Sequence, residues 1–171
     1  DNFENSLETK KVYSNKGVSE EISWEPLGVV LNISAWNFPY FIGTNVIVPA
    51  LLTGNSVLYK PSELCPFTGL KIKELLVKSG LNEDLFQVMI GKGSLGEKLV
   101  DLPVNGVFFT GSNSTGKKVA KQLSGRWIKT VFELGGKDPA YVMADASVEN
   151  VTDNLVDGVF YNAGQSCCSV E

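Results

Sequence analysis

Five short runs rich in β-branched or apolar residues, Val29–Ile33, Ser56–Tyr59, Phe86–Ile90, Gly106–Thr110 and Lys129–Leu134, are separated by stretches with helical spacing. Successive strands joined by helices run parallel, because a crossover returns each strand to the same end of the sheet. The alternation therefore predicts an α/β fold, an open parallel sheet with helices on both faces. The clearest helix spans Pro66 to Ser79, with Leu70, Leu75 and Leu76 on one face, Lys71, Lys73 and Lys78 on the other, and Gly80 as C-cap. A second begins near Pro39 and stops by Gly54-Asn55, and a third runs from Ser147 to Phe160. Ahead of the sheet, Lys11 to Ile22 predicts a β-hairpin around Asn15-Lys16-Gly17, an outlying ribbon available to pair with another chain.

With 171 residues, 43% of them hydrophobic and 20% charged, the chain has the size and balance of one globular domain or a large piece of a longer protein. A net charge of −4 offers no basic excess for a phosphate backbone, so nucleic acid is not an expected partner. The longest apolar stretch, Val46 to Leu52, contains Pro49 and is far short of the ~20 residues of a membrane span. Histidine is absent, which removes a Ser-His-Asp triad, a Cys-His pair and every histidine-bearing zinc site. Three cysteines, Cys65, Cys167 and Cys168, form neither a disulfide framework nor metal-ligand spacing, so no metal site is expected. They suit a reducing compartment, the cytoplasm or an organelle matrix. The start, Asp1-Asn2-Phe3-Glu4, has neither initiator Met nor basic apolar leader and is not expected to be the native start; the end is equally abrupt.

Glycine-marked or charged turns follow the predicted strands, where ligands of open α/β sheets bind. Gly91-Lys92-Gly93-Ser94-Leu95-Gly96 satisfies G-x-G-x-x-G, but the next strand ends Phe109-Thr110-Gly111 without the acid that would hold a ribose; alone it is as much a tight turn as a nucleotide loop. Phe109-Thr110-Gly111-Ser112-Asn113-Ser114-Thr115-Gly116 leads into a helix beginning near Ser114 or Thr115, a helix start that either favours an anion or is simply N-capped. Lys60-Pro61-Ser62-Glu63 puts a cation and a carboxylate past the second strand, where both are equally readable as surface charges. Asn37, in Trp36-Asn37-Phe38-Pro39, either points its amide across the strand ends or caps the helix. Glu133 ends an apolar run just before Gly135-Gly136; partly desolvated there it suits a general base, or it pairs structurally with a lysine. Gly164-Gln165-Ser166-Cys167-Cys168 sets a thiol in a glycine-led turn, either a nucleophile or a small buried hydrophobe, the class to which Cys65 is assigned.

Taken in order, Pro26-Leu27-Gly28-Val29-Val30, Trp36-Asn37-Phe38-Pro39, Pro49-Ala50-Leu51 with Gly54-Asn55, Lys60-Pro61-Ser62-Glu63, Phe109-Thr110-Gly111-Ser112, Glu133-Leu134-Gly135-Gly136-Lys137 and Gly164-Gln165-Ser166-Cys167 resemble the NAD(P)-dependent aldehyde dehydrogenase superfamily. The resemblance covers almost everything from Trp24 onward. It implies a Rossmann-like cofactor domain over residues 24–163, preceded by part of an oligomerisation-arm hairpin in 1–23 and followed by the start of a catalytic domain in 164–171. It implies that Cys167 attacks an aldehyde to form a thiohemiacetal. The Asn37 amide and the Cys167 backbone N–H would hold the oxyanion, a donor pair worth ~3 kcal/mol. Glu133 would activate the water that hydrolyses the resulting thioester and help deprotonate Cys167. Thiolate and carboxylate divide the work that histidine does elsewhere.

For the cofactor, the resemblance implies that Lys60 and Glu63 hold the adenosine ribose, that Ser112 meets the pyrophosphate, and that Gly93 lies under the adenine. Ile33, Ser34, Trp36, Ser62, Phe109, Thr110, Gly111, Thr115, Gly116 and Leu134 complete the set. The Glu63 carboxylate repels a 2′-phosphate, so NAD is expected rather than NADP. A small-molecule aldehyde substrate and a homo-oligomeric assembly follow as expectations. Family members continue beyond the cysteine, so the chain resembles a fragment. Two other readings stand beside aldehyde oxidation: an inactive remnant that binds nucleotide or associates with full-length subunits, and an acylating relative that passes the thioester to coenzyme A. Glu133 argues against the last of these.

Overall fold

The computed structural model describes residues 2–170, with side chains from Asn5 onward. Asp1 and Glu171, the outermost residues of the predicted arm and of the predicted catalytic-domain start, lie outside the described residues. The α/β expectation holds. After a short helix α1 (Asn2–Leu7), β1 (Lys10–Asn15) and β2 (Val18–Ile22) form an antiparallel two-stranded sheet of their own. Lys16 and Gly17 turn the hairpin with φ of 39° and 89°, as the asparagine-lysine-glycine signal requires. Every residue of both strands is exposed.

The main sheet comprises β3 (Val29–Ile33), β4 (Ser56–Lys60), β5 (Phe86–Val88), β6 (Gly106–Thr110) and β7 (Lys129–Glu133), all parallel, in the order β5-β4-β3-β6-β7. Its helices are α2 (Phe41–Leu52), α3 (Pro66–Lys78), α4 (Gly93–Val100), α5 (Asn113–Leu123) and α6 (Val148–Phe160). The pleat sends alternate residues to opposite faces. Leu31, Ile33, Val107 and Phe109 pack with Leu99 and Val100 of α4 and Val119 and Leu123 of α5. Val57, Tyr59 and Phe86 pack on the other face with Ile47 of α2 and Ile72 of α3. Two cores back to back bury the central strand β3 from Val30 to Ile33, which is why it is apolar on both faces except at Asn32, whose amide is hydrogen-bonded to the Gly43 carbonyl.

Several element ends differ from expectation. β5 stops at Val88 rather than Ile90, because this edge strand is paired only with β4, from Phe86 to Val88, before the chain leaves toward Gly91. β7 ends at Glu133, one residue short of Leu134, which turns in against the α4–α5 core instead. Ser112 caps α5 directly, accepting from the Thr115 N–H, so the helix begins at Asn113. Gly93 and Gly96 belong to α4, not to an open loop.

At the amino ends of the strands, Asn55 and Asn105 tie the sheet together. The Gly28 N–H donates to Asn55 Oδ1 at 2.9 Å and the Val29 N–H to Asn105 Oδ1 at 2.9 Å. Gly28 holds a φ of 117°, and a Cβ there would lie 2.6 Å from Asn105 Oδ1. The Gly28 and Gly54-Asn55 motifs thus set the frame from the end opposite the cleft described next. Among the described residues no helix is long and apolar enough to cross a membrane.

Candidate active site

From β3 the chain builds β4 and β5 to one side, then returns to lay β6 and β7 on the other. The order therefore reverses between β3 and β6, and the loops leaving their carboxyl ends diverge to opposite faces and open a crevice. A cleft of ≈ 670 Å³ lies there. Its walls are the segments following β3, β4, β6 and β7, the first turns of α4 and α5, and the Gly164–Cys167 loop. The expected catalytic residues Asn37, Glu133 and Cys167 all line it. So do Ile33, Ser34, Trp36, Lys60, Ser62, Glu63, Gly93, Phe109, Thr110, Gly111, Ser112, Thr115 and Leu134.

Gly116 is the one member of that set not on the wall. It is buried, and a Cβ there would lie 2.6 Å from Leu134 Cδ2, so its smallness lets Leu134 pack on α5. Glu97, Lys118, Val119 and Gln122 also line the cleft, without having been singled out in the sequence. The signal was present: Glu97 is four residues after Gly93, and Lys118, Val119 and Gln122 are three, four and seven after Thr115, hence on the same helix faces. Gln122 spans the two helices, donating to the Glu97 carbonyl at 2.9 Å and to Asp101 Oδ1 at 2.6 Å.

Lys60 is not a surface charge. It is only 3% exposed, with Nζ 3.5 Å from Glu63 Oε2 and 3.3 Å from the Pro61 carbonyl. Both contacts are longer than the 2.7–2.9 Å typical of charge-assisted hydrogen bonds, so this cation keeps capacity for an acceptor in the cleft. Glu63 is half exposed; its own backbone N–H most of all holds its carboxyl below the usual range, burial opposes this, and Lys60 and then Lys92 add to the lowering. Ser112 Oγ lies 3.0 Å from Thr115 Oγ1 and 3.2 Å from Ser114 Oγ, a ring of hydroxyls at the positive end of α5. Beneath the β3 and β4 ends, Asn32 donates to the Gly43 carbonyl at 3.1 Å, and Tyr59, its hydroxyl pushed up by burial against a lesser lowering by Ser34, packs over Gly43.

The cysteine loop is held from three directions. The Val170 N–H donates to the Gly158 carbonyl of α6 at 3.3 Å, and the Asp138 N–H to the Ser169 carbonyl at 3.3 Å. Gly136 passes so close that a Cβ would overlap the Cys167 carbonyl oxygen, which accounts for the second glycine of that turn. From the β3 side the Asn37 amide donates to the Gln165 carbonyl at 2.8 Å.

Cys167 is exposed. Partial burial, then the adjacent Cys168 and more weakly the Glu133 carboxylate, push its thiol above the ordinary range against one favourable backbone contact. It rests as a thiol and needs a base. Glu133, expected to be partly desolvated, is exposed at the end of β7, the edge strand of the sheet. Cys65 is half-buried rather than buried, its thiol likewise pushed up by burial. Among the described residues no cluster of His, Cys, Asp or Glu suited to a metal comes together.

Residues 2–171 match the sequence profile of the aldehyde dehydrogenase family. The chain belongs to that family. It is 43% identical over 143 residues to betaine aldehyde dehydrogenase of Agrobacterium fabrum, an alignment covering 83% of this chain and 29% of that protein. Its fold superposes on lactaldehyde dehydrogenase from Escherichia coli with a TM-score of 0.93 at 35% identity, covering 99% of this chain and 36% of that one. A Mycobacterium tuberculosis aldehyde dehydrogenase complexed with NAD+ matches with a TM-score of 0.88 at 32% identity, covering 95% of this chain and 33% of that one. The chain spans under a third of the length of the curated aldehyde dehydrogenase relatives it matches.

Proposed function

We propose that this chain is the dinucleotide-binding part, with the nucleophile, of an enzyme that oxidises an aldehyde to a carboxylic acid. The observation that carries the reading is the convergence of Cys167, Glu133 and Asn37 on the crevice at the topological switch point. Cys167 Sγ forms a bond to the aldehyde carbon, giving its proton to a base in the cleft, and Glu133 is the carboxylate available. The carbonyl oxygen gains negative charge as that bond forms. The Asn37 amide, exchanging its Gln165 partner for that oxygen, and the Cys167 N–H stabilise it. A nicotinamide dinucleotide held by Lys60, Glu63 and Ser112 would supply the hydride acceptor, so that the Cys167 thiohemiacetal, on losing hydride, becomes a thioester. Glu133, having passed the first proton to solvent, takes a second from water as the water adds to the thioester carbon; the C–S bond then breaks to release the acid, and the leaving thiolate takes that proton back to regenerate the thiol. A hydrolytic carboxylate on the cleft wall favours this outcome over transfer to coenzyme A.

The residues present fit a dinucleotide. Lys60 has unmet donor capacity facing the cleft, Ser112 and Thr115 gather hydroxyls at a helix start, and a Cβ at Gly93 would meet nothing within 4 Å, which leaves room for a flat base above α4. Glu63, held in its charged form, disfavours a 2′-phosphate and supports NAD over NADP. The same reading takes 1–23 as an arm, 24–163 as the cofactor domain and 164–171 as the start of the catalytic domain. Val12, Tyr13, Val18 and Ile22, apolar and exposed on the hairpin, support its pairing with another copy. Three unpaired cysteines among the described residues are consistent with a reducing compartment such as the cytoplasm.

The open side of the cleft favours a second reading, a chain that binds nucleotide without turning over by itself: every residue from Gly135 to Asn150 is exposed. Recording NADH formation over a panel of small aldehydes separates the two. The complete protein containing this segment is expected to be active, and its Cys167→Ala form to fall to background. Identical traces from the two would remove Cys167 from the chemistry. Traces of the 171-residue chain and its Cys167→Ala form that coincide would show that this portion alone is not an enzyme.

A further inference from the structure

The Asn37 amide has to be aimed, yet it stands half-buried on the loop between β3 and α2, and a loop asparagine has several rotamers. The structure assigns the aiming to Asn162, a positioning residue that couples the Asn37 loop to the cysteine loop. This inference rests on the functional reading above. Asn162 Nδ2 donates to the Asn37 carbonyl at 3.1 Å and also approaches the Gln165 carbonyl at 3.4 Å. The Asn37 amide donates to that same Gln165 carbonyl at 2.8 Å, and the Gln165 N–H returns to the Asn162 carbonyl at 3.1 Å. Asn37, Asn162 and Gln165 thus form a closed ring of hydrogen bonds two residues from the nucleophile. One side chain, Asn162, holds the backbone of the oxyanion donor and the backbone of the thiol loop in fixed relation.

Two independent features mark the pair as built. The rings of Phe38 and Tyr161, each the chain neighbour of an asparagine in the ring, stack with centroids 6.2 Å apart and an interplanar angle of 24°. Asn162 and Ala163 both adopt left-handed backbone, φ 50° and 58°, between α6 and Gly164. Asparagine is among the few residues that take this conformation readily, while alanine pays for it. The strained turn presents the Asn162 amide to Asn37, and the aromatic stack keeps the two segments in register. When substrate draws the Asn37 amide away from Gln165, the bond from Asn162 to the Asn37 carbonyl remains and holds the donor over the cysteine.

Substitutions can separate the amide from the turn. Asn162→Gly keeps the left-handed backbone and loses the donor. Asn162→Asp keeps size and turn preference but sets a carboxylate against two carbonyl oxygens. In the complete enzyme, both are expected to lower kcat roughly 10- to 100-fold with KM for the cofactor nearly unchanged, as loss of positioning at an oxyanion donor does. The deciding comparison is Asn162→Gly in an Asn37→Ala background. A residue acting through Asn37 costs almost nothing once Asn37 is gone, whereas a merely structural one costs the same in both backgrounds. Additive losses, or a wild-type kcat for Asn162→Gly, would overturn the inference while Cys167→Ala remained inactive. Activity surviving in Cys167→Ala would instead overturn the functional reading. In that event, amide hydrogen exchange of the cofactor-free protein still decides the coupling. Asn162→Gly should speed exchange in the peptides containing Asn37 and Gln165 together, and unchanged exchange in the Asn37 peptide refutes it.

Discussion

Cys167 is the proposed nucleophile of a chain without histidine. Burial, Cys168 and Glu133 all disfavour its thiolate, so its pKa lies above that of an ordinary cysteine. The sign is plain: at a given neutral or mildly alkaline pH, less of it is ionised than of a free cysteine, and reactivity climbs as pH rises. Iodoacetamide labelling of the cofactor-free protein, followed by peptide mass, should therefore label Cys167 more slowly at pH 7.5 than a free thiol and accelerate through and beyond pH 9. Labelling faster than a free thiol at pH 7.5 would contradict it. Lys60 makes a second prediction. Lys60→Met removes a buried donor from the cleft and should weaken NAD+ binding by about 10- to 100-fold, the value of a charge-assisted hydrogen bond, as measured by calorimetric titration. An unchanged Kd would place the nucleotide elsewhere. That Lys60 is buried was not legible in its spacing, which fits a surface ion pair equally well. Its 3% exposure arises from the packing of α4 over β4, where a Cβ at Gly96 would lie 3.6 Å from the Lys60 stem. Asn162 was also missed, because its role depends on a left-handed turn that the letters Tyr161-Asn162-Ala163 do not announce.

The strands were legible because β3, β4 and β6 are largely buried on both faces and are rich in β-branched, aliphatic and aromatic residues. Their ends were less so, since β5 and β7 at the edges stop where pairing stops rather than where apolar character stops. The helix expected from Pro66 begins there with proline in its first turn, and the one expected from Ser147 begins at Val148, Ser147 capping it by accepting from the Asn150 N–H. The close approach of α2 to the sheet could not be read. It depends on Gly43, where a Cβ would lie 2.5 Å from the Tyr59 hydroxyl. Gly43→Ala must push α2 or Tyr59 aside and should cost about 1–3 kcal/mol, as overpacking of a core does. Gly125→Ala, with nothing within 4 Å of the added carbon, should stay within about 0.5 kcal/mol. Urea midpoints for the two variants check the contrast, and equal midpoints would mean that α2 is not packed as tightly as described.

Taken whole, the molecule leaves much apolar surface uncovered. Trp127, Phe67, Tyr141, Val148 and Phe160 are largely exposed, and β7 is an unpaired edge. Exposed edges and apolar patches promote association, so the 171-residue chain by itself should elute as a broad, concentration-dependent distribution in size-exclusion chromatography. A sharp monomer peak with a cooperative melt would contradict this. The same openness explains why the site was legible in outline but not in depth. Motifs at the carboxyl ends of four strands named most of one wall, because the sheet must bring those ends together. The central claim is that Cys167 carries the acyl group and Glu133 releases it. The direct measurement is intact-protein and peptide mass after mixing the complete enzyme, as its Glu133→Gln variant, with NAD+ and an aldehyde that the wild type oxidises. The account predicts a stable acyl adduct on the peptide containing Cys167, approaching one per active chain and absent from Cys167→Ala. Wild-type turnover by the variant, with no adduct or with one on Cys65, would contradict it.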